Sequence, residues 1–319
     1  MNNPNSVRLS ALRWTGLAGL VWGLLVPWRA MGGTWTPLAN NAPGPVNGML
    51  LLSDGTVMAE EGDASTTYYN NWYRLTPDTN GSYVNGSWTT LAPMHETRLY
   101  CSSQVLTDGR VFIAGGEYGS NPRTAEIYNP FNNGWTYTAA GGAGYGDGES
   151  EMLPDGTVLE APVGWGSYPA WATLIYNPFT NGWSYAGSSY EYQDEATWVK
   201  LPDGSILTID PYNDSNGLNS ERFIPGTGWV QDANPPVALF STYHETGPAF
   251  MLADGRAFLL GGTGHTLFYT PSGNAATGTW AQGPDIPNGM VMQDAAGAMM
   301  INGKILCAVS QPMPAASTW

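Results

Sequence analysis

Carboxylates and aromatic rings recur in this chain eight to eleven positions ahead of a repeated Asp-Gly dipeptide, or slightly outside that window. They are His95, Glu96 and Tyr100; Asp147 and Glu149; Tyr192, Asp194 and Glu195; Tyr243, His244 and Glu245; and Gln293 with Asp294. Carboxylate oxygens in such number could hold a hard cation such as calcium, or hydrogen-bond a sugar. Tyr118, Trp165, Tyr168 and Trp171 add flat apolar rings that suit a carbohydrate or a peptide. The expected ligand-binding set is Asp147, Glu149, Trp165, Tyr168, Tyr192, Asp194, Glu195 and Glu245. Plain solvated carboxylates would look the same in sequence, because a charge left in water costs nothing. There is no Gly-x-Ser-x-Gly elbow, no His-Glu-x-x-His, and no glycine-rich phosphate loop leading into a helix. The expectation is a binding module that needs no cofactor.

Something regular must hold these residues together, and the chain repeats. Leu52-Ser53-Asp54-Gly55 returns as Leu106-Thr107-Asp108-Gly109, Leu153-Pro154-Asp155-Gly156, Leu201-Pro202-Asp203-Gly204 and Leu252-Ala253-Asp254-Gly255, then as Ile301-Asn302-Gly303. The spacings are 54, 47, 48, 51 and 48 residues. A second mark, Trp35, Trp88, Trp135, Trp183, Trp229 and Trp280, is spaced by 53, 47, 48, 46 and 51. Two independent marks with one period indicate a repeat architecture.

Within a repeat the strands can be read directly. Residues 99–106 form an apolar strand, Asp108-Gly109 a hairpin turn, 110–114 a second strand and 125–128 a third. Asn129 to Gly134 turns the chain and Trp135 opens a fourth strand, and the next repeat copies this with Asn177-Pro178-Phe179 and Trp183. The Gly115-Gly116 and Gly261-Gly262 doublets, a downstream Tyr, and a Trp about seven residues later resemble the kelch repeat. The resemblance implies an all-β fold, a kelch-type β-propeller of four-stranded antiparallel blades, about six in number with the last incomplete. Residues 33–38 would be an isolated fourth strand. In such blades the segments before strand one and after strand two share a face, so the residues above would line one mouth of the central channel.

A sharper resemblance lies in the second repeat. Glu96-Thr97-Arg98-Leu99-Tyr100-Cys101-Ser102-Ser103, running into Asp108-Gly109-Arg110-Val111-Phe112, is similar to the blade of galactose oxidase that carries its cross-linked tyrosine. Tyr243-His244 resembles that family's metal-binding Tyr-His pair. The resemblance implies an alternative, a copper-radical oxidase of alcohols or aldehydes, with Tyr100 as radical tyrosine and Tyr243 and His244 as copper ligands. The chain departs from that pattern in three ways. The preceding blade has Gly44 to Gly48 and no Cys, Tyr243-His244 sits two residues too far from its turn, and the second His finds only His265 as a counterpart.

Arg8 and Arg13 precede an apolar stretch over residues 14–28, and the first acid is Asp54. Residues 1–32 thus read as a signal peptide or N-terminal anchor, with Ala30 and Gly32 at small-residue cleavage positions, and residues 33–319 as the propeller. The expected location is secreted, periplasmic or cell surface, with membrane contact only through an uncleaved N-terminal segment. Without Arg8, Arg13 and Arg29 the chain has 26 acids against 8 bases, a net −18. That field repels phosphate backbones and argues against nucleic acid, leaving a glycan or an extracellular protein as partner. Cys101 and Cys307 lie in distant repeats and are expected as free thiols. The sixth repeat stops after two strands, so a C-terminal truncation is expected.

Overall fold

The computed structural model describes residues 34–63, 68–164, 166–209, 217–240 and 246–312 of the 319. Two compact units divide at Pro37 and Leu38. In the first, residues 34–37 form no strand, which corrects the strand expected over 33–38. A strand exists only through its ladder, and Trp35 stands 85% exposed.

The second unit is built of short antiparallel sheets. Blade one is β1 (Val46–Leu51), β2 (Val57–Glu61), β3 (Trp72–Thr76) and β4 (Ser87–Thr90), in that order. The second repeat begins with a two-residue strand, β5 (Arg98–Leu99), followed by β6 (Ser102–Val105), β7 (Val111–Ala114), β8 (Tyr118–Gly119), β9 (Ala125–Asn129) and β10 (Gly134–Tyr137). Blade two is β6-β7-β9-β10, and β5 pairs separately with β8. Blade three is β11 (Ser150–Met152), β12 (Val158–Glu160), β13 (Ala172–Asn177) and β14 (Gly182–Ser188). Blade four is β15 (Trp198–Lys200), β16 (Ile206–Ile209), β17 (Ser220–Ile224) and β18 (Gly228–Gln231). Blade five is β19 (Thr246–Met251), β20 (Ala257–Gly261), β21 (Thr266–Thr270) and β22 (Thr279–Gln282). Among the described residues the sixth repeat contributes β23 (Gly297–Met299) and β24 (Ile305–Cys307), a two-stranded sheet. The fold is a β-propeller with five four-stranded blades, and the expected count of about six is corrected accordingly.

The repeated dipeptide is legible in turn chemistry. Gly55, Gly109, Gly156, Gly204, Gly255 and Gly303 all have φ between 76° and 85°, the left-handed region that glycine enters without steric cost. The preceding Asp or Asn accepts the backbone N–H two residues on, as in Thr56 to Asp54, Thr157 to Asp155 and Lys304 to Asn302. Those two residue types are selected for separate physical reasons. First strands of successive blades stand side by side, β1 by β6, β6 by β11, β11 by β15, β15 by β19 and β19 by β23. They are therefore the innermost strands.

The core lies in the seams between blades. Leu52, Met58 and Trp72 of blade one meet Val111, Ile113 and Tyr128 of blade two, while Phe112 meets Val158, Leu174 and Tyr176 of blade three. The repeated tryptophans stitch the seams. Trp135, Trp183 and Trp280 donate from Nε1 to the carbonyls of Ala92, Ala139 and Ala233, each four residues after the previous repeat's tryptophan. They are packing residues, as their spacing suggests.

The strand expected over 99–106 is broken. Tyr100 has φ 55°, and the Tyr100 carbonyl accepts from Glu117 N–H instead of a neighbouring strand. The break is anchored by Arg98, whose buried guanidinium donates to the carbonyls of Gly115 and Thr124 and pairs with Glu126 at 3.1 Å. Cys101 and Cys307 are free thiols.

Candidate functional site

Counting back nine residues from each turn glycine gives Val46, Tyr100, Asp147, Glu195, Thr246 and Asp294. This offset marks where the chain enters each innermost strand. Three of the six, Tyr100, Glu195 and Asp294, have positive φ of 55°, 55° and 46°. A non-glycine residue held there costs of order 1 kcal/mol and turns its side chain off the strand's regular alternation.

The result is a polar cavity of about 330 Å³ lined by Tyr100, Ser102, Gln104, Asp147, Glu149 and Asp294. A neighbouring depression of about 300 Å³ shares Asp147, Glu149 and Asp294 and adds Glu195, Thr197 and Thr246. Residues from five repeats thus meet at one opening. Tyr100 is 45% exposed, sits edge-on to Tyr118 at 6.3 Å between ring centroids, and Tyr118 stacks flat on Tyr68 at 5.6 Å. The mouth has an aromatic edge and an acidic floor.

Its electrostatics follow from crowding. Burial, then repulsion from Glu117, Asp194, Glu195 and Asp294, pushes Asp147 up to about 8. Burial and the Asp147, Glu151 and Asp294 charges push Glu149 up to about 8. Asp294 rises through burial and Glu117, and Tyr100 through burial and the Asp294, Glu117 and Asp147 charges. Near neutral pH, Asp147 and Glu149 therefore retain protons and can each donate as well as accept a hydrogen bond. Behind the wall, Ser102 Oγ donates to the buried Glu160 at 2.9 Å, and Cys101 Sγ faces Glu60 at 3.9 Å. Burial raises Glu60 to about 7, Glu160 well above its usual value, and the Cys101 thiol likewise.

Of the residues expected from sequence, Tyr100, Asp147, Glu149 and Glu195 are brought together. Asp194 stands beside them, bridging backbone to backbone with Gly148. Tyr168 and Tyr192 go elsewhere, into a separate cavity of about 510 Å³ with Val163 and Trp171. Trp165, Tyr243, His244 and Glu245 lie outside the described residues. His95 and Glu96 are drawn away from the mouth. His95 Nδ1 contacts Glu126 at 2.7 Å with its ring stacked on Tyr137, and Glu96 accepts from Ser120 and from Tyr137. Glu117 and Thr246 were missed; the nine-residue offset would have found Thr246, whereas Glu117 arrives on the loop after β7.

Gly148 holds this wall in place. A Cβ there would fall 2.1 Å from the Ala161 carbonyl oxygen, a backbone atom that cannot rotate away. Gly148→Ala is expected to cost about 2–3 kcal/mol by forcing the Asp147–Glu149 segment off β12. A chemical-denaturation midpoint within error of wild type would refute this.

The donors do not compose a copper site among the described residues. His265 Nδ1 is engaged by Asp285 at 2.9 Å, as His95 is by Glu126. No group of three or more His, Cys, Asp or Glu among the described residues is arranged to hold a metal ion, which applies equally to calcium. Tyr100 reaches the mouth, but without an imidazole partner described beside it.

The blades form a β-propeller with an acidic mouth edged by aromatic rings. No known sequence family and no curated protein matches the chain. Among solved structures it is similar to a fungal alcohol oxidase of the AA5 family in complex with copper, at TM-score 0.62 and 18% identity. That match covers 84% of this chain and 59% of the oxidase, so the chain spans well under two thirds of it. It is also similar to YjhT, at TM-score 0.56 and 16% identity, over 84% of this chain and 95% of YjhT. The likeness is one of fold.

Proposed function

We propose that the protein is an exported carbohydrate-binding propeller that takes a neutral sugar in the mouth between Tyr100 and the Asp147–Glu149–Asp294 wall. The observation that carries this reading is the junction of one half-exposed aromatic edge with carboxyl groups crowded enough to stay protonated. A tyrosine ring accepts the C–H face of a sugar, and a protonated carboxyl pairs with a hydroxyl as both donor and acceptor. The acidic surroundings disfavour uronic acids, sulfated glycans and phosphates. Export is part of the same proposal, supported by the arginines and apolar stretch of residues 1–32.

The test is binding to a panel of neutral glycans, followed by titration calorimetry on any that are retained. Tyr100→Ala and Asp147→Asn are each expected to weaken binding at least about tenfold, the loss of one good stacking or hydrogen-bond contact. Their unfolding midpoints should stay near wild type. Retention that survives both substitutions would sink the proposal.

The second reading, a copper-radical oxidase, is favoured by Tyr100 standing at the mouth in a fold shared with a copper enzyme. It calls for peroxide release from primary alcohols or aldehydes after copper loading, abolished by Tyr100→Phe. Copper-loaded protein that releases none across both classes removes it.

A further inference from the structure

Beside the mouth lies a groove of about 510 Å³, lined by Pro162, Val163, Tyr168, Pro169, Trp171 and Tyr192. Among the described residues its lining carries no charged side chain. Trp171 presents its ring to solvent, while Tyr168 and Tyr192 are partly buried, with Tyr168 backed by the core. Trp171 is 41% exposed at φ 58°, and its carbonyl is pinned by both the N–H and the hydroxyl of Ser189 at 3.0 Å. Tyr168 stacks on the half-exposed Tyr185 with planes 15° apart, which makes a flat ledge.

Groove and mouth share two walls. The segment that gives Ala143 to the groove gives Asp147 and Glu149 to the mouth, and the segment that gives Tyr192 to the groove gives Glu195 to the mouth. The two segments pair where Gly148 meets Asp194, so the boundary between the depressions is a single backbone bridge. Its first segment has no side chain at Gly144, Gly146 or Gly148. A ligand anchored by hydroxyls in the mouth meets, across that low ridge, an uncharged aromatic surface.

Resting on the reading of the mouth as a carbohydrate site, we infer that the ligand is an oligosaccharide rather than a single sugar, with one terminal residue in the mouth and the following residues laid over Trp171 and Tyr168. Hydroxyl-rich recognition at one end and flat apolar recognition along the rest is the division of labour that a neutral glycan chain requires. A monosaccharide occupies only the first part.

The experiment is calorimetric titration with neutral gluco-, galacto-, manno- and N-acetylglucosamine series, each from one to six units, against wild type, Trp171→Ala, Tyr168→Ala and Asp147→Asn. In the series that binds, the hexamer should bind at least about tenfold more tightly than the monomer. Trp171→Ala and Tyr168→Ala should bring the hexamer to within about threefold of the monomer while leaving monomer affinity unchanged. Asp147→Asn should weaken both. Unfolding midpoints measured alongside separate loss of contact from loss of fold, and the two groove variants act independently should one fail to fold. An affinity that does not grow with length overturns the inference alone, as does a length dependence that both groove variants leave intact. No binding in any series at any length overturns the mouth reading, and this inference with it.

Discussion

Arg222→Met unfolds at a clearly lower denaturant concentration than wild type, by an amount corresponding to about 3–5 kcal/mol, the cost of breaking a buried ion pair by removing one partner. Arg222 is fully buried, and its Nε meets Asp232 at 3.0 Å with both side chains shut off from water. Its remaining N–H groups reach Asp203 at 3.4 Å and the carbonyls of Asn274 and Ala276 at 3.2 and 2.8 Å. It thereby ties β17 of blade four to the β21–β22 connection of blade five. Removing the guanidinium leaves the Asp232 carboxylate buried opposite no cation, and leaves the Asn274 and Ala276 carbonyls to share the Ser272 hydroxyl. Asp232 keeps the N–H groups of Gly278 and Ala233 and the Tyr269 hydroxyl. Adding Asp232→Asn should recover roughly 2 kcal/mol, because it removes the stranded charge and retains an acceptor. A single variant that loses less than about 1 kcal/mol, or a double variant no better than the single one, would show that the clamp does not hold the seam.

How far the sequence foretold all this depends on the range over which each feature is decided. The Asp-Gly turns were legible because an αL glycine and an Asp accepting two residues on are decided within four residues. The tryptophans were legible because the seams repeat the same contact. Tyr100 was legible as a mouth residue but its left-handed backbone was not, since that is imposed by Glu117 N–H and by Arg98 reaching Thr124 and Glu126, contacts 17 to 28 residues away in sequence. His95 carries every outward sign of a mouth residue, yet Glu126, 31 residues downstream, claims it. Tyr168 and Tyr192 lie at the expected sequence positions but on the other side of the Gly148–Asp194 bridge. The total of about six blades came out as five for a different reason. The turn mark of the sixth repeat is intact at Asn302-Gly303, but among the described residues that repeat gives a two-stranded sheet rather than a blade.

The acidic wall that makes the mouth also makes the protein less stable as pH rises. Asp147 and Glu149 ionise near 4 in the unfolded chain and near 8 in the folded one. Between those values the folded state holds protons that the unfolded state has released, so stability falls as pH rises through the folded values. Glu60, raised to about 7 by burial, acts in the same direction. Asp54, Glu96, Asp78, Asp254 and Asp285 act oppositely. Hydrogen bonds hold each below its usual value, so the stability they add above that value disappears on acidification. Stability should therefore peak near pH 5 and decline by roughly 5 kcal/mol toward pH 9, with the repulsion between Asp147 and Glu149 counted once. Denaturation midpoints at pH 5, 7 and 9 check this, and Asp147→Asn combined with Glu149→Gln should flatten most of the slope. A wild-type midpoint that is level or rising from pH 5 to 9 would mean that these carboxyls are ionised in the folded protein. The donors on which the mouth's recognition of a hydroxyl depends would then be absent as well, so the stability profile and sugar binding must fail or hold together.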